Sequence, residues 1–195
     1  MTTSHYLAFL VNGVRQELAD EDPVNYRWTE QELISHLQKA MQELSKVAPY
    51  EKKSTLTTAA SRDLSITSLV PRVLSYWQRG VQRVEYQAER CNFEVWDNTL
   101  TLDFTPTAGK DINIWWAQFH EVTTTSTTLT AELENIVVDG ACAYALMAWG
   151  TAHLPDINAG GPMTPSQMRD TGLAKLGLFR QARDRLRRIQ KYEEL

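Results

Sequence analysis

The side chains able to do chemistry are few and scattered: four histidines (His5, His36, His120, His153) and two cysteines (Cys91, Cys142) in 195 residues. His120-Glu121 begins a zinc-binding pattern, but a helical metalloprotease site needs a second His four positions on, and Thr124 stands there. The other histidines lack ligand spacing and read as surface or capping residues. Gly160-Gly161-Pro162 lacks the Lys-Ser/Thr ending and the preceding strand of a phosphate-binding loop. No Gly-x-Ser-x-Gly elbow occurs. Cys142 sits in an apolar stretch and reads as an inert buried thiol. Cys91, beside Arg90, reads as an exposed loose thiol. From these residues no catalytic set, metal site or cofactor is expected, and the chain is not expected to be an enzyme.

Two other groups could carry function through binding. Trp96, Trp115, Trp116 and Phe119 fall in a short β-rich stretch. They either fill a core or lie at a subunit interface, where Trp and Tyr are enriched. The second group is the basic end. Residues 163–195 hold eight Lys or Arg against four acids, a balance of +4, while the remainder holds 12 bases and 20 acids, a balance of −8. Arg180, Arg183, Arg187 and Arg188 lie beside an apolar stripe of Leu176, Phe179, Leu186 and Ile189. Three readings stand: a solvated face, an arm that neutralises nucleic-acid phosphates, or a helix that docks on an acidic partner. The stripe favours docking, since a phosphate-binding arm needs none. Gly172 and Gly177 weaken the helix locally, which suits a segment ordered by its partner. Deletion after Gly172 should leave a folded body, because the apolar stretch that forms the core helix ends before it.

These groups must be positioned by a scaffold, and the stretch from Leu129 to Leu154 organises it. Thr130 is suited to N-cap a helix there, and Glu132 and Glu134 suit its positive end. From Ile136 on, nearly every residue is apolar or small, so the helix must be buried on most sides. Its charge-free run is too short to cross a bilayer. Gly140, Ala141, Ala143, Ala145 and Ala148 would admit other backbones closely. Ser4 to Asp20 reads as a first helix with Tyr6, Leu7, Leu10, Val11, Val14 and Leu18 on one face. Thr29 and Glu32 form a capping box for a second, to about Val47, with Trp28 stapling onto Leu33.

After Lys53 the pattern alternates. Strands are expected within 54–68, at 81–86 and over 112–122, with a hairpin at 93–104 turning on Asp97-Asn98. A short helical turn is expected over 69–78. Thr123 to Thr128, six hydroxyl residues, reads as a polar linker. Thr164, with Pro165 after it, opens a last helix to about Tyr192. The expected fold class is α+β, mainly α: a helical bundle around a central apolar helix (1–53 and 124–195) with a β-rich insertion (54–123) and a long C-terminal helix (about 164–192). No signal peptide or anchor is expected, and two isolated thiols suit a reducing cytoplasm.

This layout resembles the head-tail connector (adaptor) proteins of tailed bacteriophages. The resemblance is carried by the capped helix Trp28 to Leu44, the segment Val81-Gln82-Arg83-Val84-Glu85-Tyr86, the Phe93 to Phe104 hairpin and the strand from Ile112. It is carried above all by the junction Thr127 to Glu134 leading into Val137-Val138-Asp139-Gly140-Ala141-Cys142-Ala143-Tyr144-Ala145-Leu146. Thr130 stands where the family usually has Pro, and Cys142 where it has Ala. The resemblance implies a structural virion protein made in the host cytoplasm. It implies a ring of usually twelve copies at the neck beneath the portal protein, in contact with a further neck or tail-completion protein. Genomic DNA would pass through such a ring without sequence-specific binding, and no membrane is implied. Portal docking would fall on Leu176, Phe179, Arg180, Arg183, Leu186, Arg187, Arg188 and Ile189. The alternative is a nucleic-acid-binding protein that uses the basic C-terminal helix.

Overall fold

The computed structural model describes residues 6–69, 80–154 and 164–192, with side chains of the last helix described as far as Leu186. The expected turn over 69–78 and the Gly160-Gly161-Pro162 loop lie almost wholly or wholly outside the described residues, as do the side chains of Arg187, Arg188 and Ile189. The protein is a mixed α+β fold with a long C-terminal helix. It divides into a helical unit, Met1–Ala48 with His120–Leu195, and a sheet unit, Pro49–Phe119.

In the helical unit, α1 spans Tyr6–Glu17 and α2 spans Glu30–Ser45. The capping box forms as expected. Thr29 Oγ1 accepts from the Glu32 N–H, and the Glu32 carboxylate accepts from the Thr29 N–H at 2.8 Å. Two orphan donors of the first turn are thereby satisfied. The turn between α1 and α2 is held by an ion pair that spacing alone does not announce. Arg15 Nη1 donates to Asp20 Oδ2 at 2.7 Å, both buried, and Asp20 also accepts from the backbone N–H of Arg27 at 2.7 Å. The Arg15 guanidinium lies 3.6 Å from the Tyr26 ring centroid.

Helix α3, Ala131–Ala152, is the central helix. Thr130 Oγ1 accepts from the Leu133 N–H, and Gly140 through Leu146 are all buried. Helix α4, Pro165–Tyr192, begins on a second reciprocal cap, in which Thr164 and Gln167 each accept from the other's backbone N–H. It runs antiparallel to α3 at close range. A Cβ on Gly150 would lie 2.6 Å from the Arg169 N and the Pro165 O. One on Gly172 would lie 2.8 Å from Met147 N and 2.9 Å from Ala143 O, and one on Gly140 would lie 2.8 Å from the Phe179 ring. Small residues therefore set the separation of the two helices. The core joins Leu10, Val14, Leu33, Leu37 and Leu44 to Val137, Ala141 and Ala145, with Met168, Leu176 and Phe179 from α4.

The hydroxyl run is not a free linker. Val122 and Thr127 form a β-bridge, and Thr123 and Ser126 close a turn through backbone and hydroxyl bonds. The carbonyls of Thr123 and Thr124 accept from the N–H groups of Leu7 and Tyr6 at 3.2 Å. The threonines thus cap the open N-terminal end of α1, whose first-turn donors have no intrahelical partner.

The sheet unit holds two antiparallel sheets. The first, in order β1-β7-β3-β4, comprises β1 Tyr50–Thr57, β7 Asp111–Gln118, β3 Val81–Tyr86 and β4 Glu89–Arg90. The second, in order β2-β6-β5, comprises β2 Asp63–Ser65, β6 Thr99–Leu102 and β5 Phe93–Trp96. The hairpin forms in the expected register, Trp96 opposite Thr99, with Asp97 at φ +50° in its turn. Strand β1 starts four residues before Ser54. Its outward residues Glu51 and Lys53 are charged, which suits an edge strand and hides it from an apolar-alternation reading. The core is Leu64, Ile66, Val84, Leu100, Leu102, Ile112, Ile114 and Trp116 with their neighbours.

Candidate interaction cleft of the helical unit

The stripe on α4 forms as a stripe, but it faces inward. Leu176 is 6% exposed and Phe179 1%, and Leu186 packs against the same core. These side chains close the chain's own core, so they do not form an outward docking face. Gly172 likewise marks the close approach to α3 rather than a weak point awaiting a partner. Among the described residues, the large apolar side chains that α4 leaves exposed are Leu173 and Leu178, at 49% and 65%.

The arginines divide. Arg183 is engaged within the molecule: Nη1 donates to Glu43 Oε2 on α2 at 3.0 Å, and the same guanidinium reaches Asp184. Arg180 is exposed and borders an open cleft of about 550 Å³ between α2, α3 and α4. His36, Lys39 and Glu43 line it from α2, and Tyr144, Met147 and Ala148 from α3. The Tyr144 hydroxyl donates to Glu43 Oε1 at 2.5 Å, and Lys39 Nζ sits 4.1 Å from the Tyr144 ring centroid. Glu43 thus holds Tyr144 and Arg183 at once. Burial, and then the bond to Glu43, push the Tyr144 phenol up to about 12, so it remains a donor. Burial and then Lys39 lower the His36 pKa, so its ring is neutral at pH 7. Among the described residues no carboxylate forms an ion pair with Lys39 or Arg180. The cleft is therefore a partly apolar recess with two cations at its rim that have no carboxylate partner among the described residues: Lys39 lies over the Tyr144 ring, and Arg180 reaches the Tyr144 hydroxyl. Sequence reading missed it, because its lining comes from three helices far apart in the chain.

The aromatic group does not gather in one place. Trp116 is buried, with Nε1 donating to Ser54 Oγ at 2.9 Å. Trp115, on the other face of β7, lies under Lys53 at 4.8 Å and Arg83 at 5.0 Å. Arg83 also pairs with Glu85. Trp96 is on the other sheet and 75% exposed, and Phe119 is half-buried.

The residues with reactive potential are set in structural roles. His120 is 7% exposed. Its Nε2 lies 3.0 Å from the Ala48 carbonyl and its Nδ1 3.0 Å from Thr128 Oγ1, while Ser45 Oγ accepts from its backbone N–H. His153 caps α3, its Nδ1 2.9 Å from the Trp149 carbonyl and its ring stacked on Trp149 at 4.2 Å. Cys142 is buried and its thiol is pushed up to about 12 by desolvation; Cys91 is half-buried and its thiol is also raised by desolvation. Low thiolate character makes both poor nucleophiles. Among the described residues no group of three or more His, Cys, Asp or Glu is placed to hold a metal, and no helix is long and apolar enough to cross a membrane.

No family model matches the chain, and no curated protein does. Among solved structures it is similar to a chain of the virion of a native gene transfer agent particle. The identity is 13%, over 87% of this chain and 89% of that one, with a TM-score of 0.30.

Proposed function

We propose that this protein is a structural virion component, a head-to-tail connector that forms a ring beneath a portal and lets DNA pass through. The sequence resemblance of the helix-sheet-helix layout to phage adaptors supports the reading. The structural observation that carries it is the cleft on the helical unit. The recess between α2, α3 and α4 is rimmed by Lys39 and Arg180, and its one carboxylate, Glu43, is tied up by Tyr144 and Arg183. Such a surface suits holding a neighbour rather than transforming a substrate. The acidic balance of the rest of the chain suits a wall that DNA slides past. Gold-labelled antibody against the chain, applied to tailed particles from the same source, should mark one vertex at the head–tail junction. Label spread over the capsid, or confined to material outside particles, would sink the connector reading.

A further inference from the structure

We propose that the cleft between α2, α3 and α4 receives an acidic, apolar-faced segment of a neighbouring protein, its carboxylates meeting Lys39 and Arg180. The inference deepens the assembly reading and rests on it in one respect, that the occupant is a protein neighbour. Everything else comes from the cleft. Its lining is partly apolar, through Met147, Ala148, Ala152 and Leu176. Its one carboxylate, Glu43, is neutralised from within by Arg183 at 3.0 Å and by the Tyr144 hydroxyl at 2.5 Å, so it does not repel an incoming acid. The two rim cations have no carboxylate partner among the described residues. Arg180 offers the planar fork that a carboxylate accepts in two bonds. Lys39 is held over the Tyr144 ring, which fixes its position without neutralising it.

This chemistry selects against a nucleic acid. Duplex DNA is gripped by rows of cations along the phosphates, and the cleft provides two cations beside apolar side chains and a carboxylate. A helix or extended segment with apolar side chains flanked by Glu or Asp satisfies both the apolar lining and the cationic rim.

The test uses the full chain and a fluorescein-labelled amphipathic helical peptide with a Leu face flanked by Glu. A twin peptide with every Glu replaced by Gln, and a labelled DNA duplex, complete the set. The acidic peptide should bind, and the Gln twin should bind at least about tenfold more weakly. Arg180→Glu and Lys39→Glu should each weaken the acidic peptide by about tenfold or more while keeping a cooperative thermal transition, the lost contacts to Tyr144 lowering the melting temperature only slightly. Arg185→Glu, at an exposed arginine elsewhere on α4, should leave its affinity unchanged. The proposal is overturned if the acidic peptide does not bind, if both peptides bind equally, if Arg185→Glu matches Arg180→Glu, or if the duplex displaces the peptide. These readouts do not depend on where the chain sits in a particle. A failed vertex label with intact peptide binding rejects the connector alone, and the reverse rejects the cleft alone.

Discussion

Helices α3 and α4 face each other in antiparallel register, yet they meet the solvent in opposite ways. Along α3, seven consecutive residues from Gly140 to Leu146 are buried, because α1, α2 and α4 all pack on it. Along α4 burial follows a single line, Met168, Gly172, Leu176 and Phe179, spaced four, four and three residues apart. The first pattern can only be interior. The second is what any helix needs to close a core on one side. The difference teaches that a narrow apolar stripe beside arginines does not identify a docking face. The stripe belongs to the fold, and what remains for a partner is the rim where α4 borders α2.

The largest test of that contrast is truncation. Removing everything after Gly172 takes Leu176 and Phe179 out of the core and uncovers Gly140 of α3. Loss of a buried Phe alone costs about 3–5 kcal/mol, a large fraction of a domain's total stability. The truncated chain should therefore lose its cooperative thermal transition. A truncated protein melting within a few degrees of the parent would return the stripe to the docking reading.

The two glycines of α4 sharpen the comparison at smaller scale. At Gly172 an added methyl meets backbone atoms of α3 under 3.0 Å away, whereas at Gly177 nothing lies within 4 Å. Gly172→Ala should push the helices apart and destabilise by about 1–3 kcal/mol, even after the gain in helix propensity. Gly177→Ala should stabilise by about 0.5–1 kcal/mol, since the exposed site gains propensity without a clash. Urea titration of the pair checks both signs, and equal effects would contradict the inward–outward division of α4.

Much of the scaffold was legible because its signals are local. The caps at Thr29, Thr130 and Thr164 and the Trp96–Thr99 turn each lie within a few residues of what they organise. Helical period likewise revealed the apolar faces. Period shows that a face is apolar but not what covers it, which is why Leu176 and Phe179 read as a partner surface. The features that escaped are pairings across long separations: Glu43 with Tyr144 and Arg183, and the Thr123–Thr124 carbonyls with the start of α1. Each joins polar residues of common type, and nothing in their spacing marks one for another. The cleft rimmed by Lys39 and Arg180 exists only once such pairs have formed.

His120 offers the smallest and most specific test, because it ties Ala48 and Thr128 at the points where the helical unit's chain leaves and returns. His120 Nε2 lies on the Ala48 carbonyl, which can only accept, and Nδ1 lies on Thr128. Burial lowers the His120 pKa from its ordinary value of 6.5, outweighing the two backbone bonds that raise it. His36 shifts in the same direction, by burial first and Lys39 second. In both cases the unfolded chain takes up the proton before the folded one as pH falls. Their contribution to stability is therefore complete above about pH 6.5 and is lost as pH drops from there toward the folded values. The raised carboxyl pKa values of Glu134 and Asp139, caused by burial, act in the opposite sense, stabilising as they protonate. That effect runs from their raised folded values down to their ordinary values of 4.5 and 3.8, and it is common to variant and parent. His120→Gln keeps a donor near Ala48 and removes the titration. Unfolding free energy measured from about pH 7 to about pH 5.5 should fall less steeply in the variant, by no more than about 1.4 kcal/mol per pH unit. Parallel slopes for variant and parent would mean that the His120 ring is protonated as easily in the folded chain as in the unfolded one.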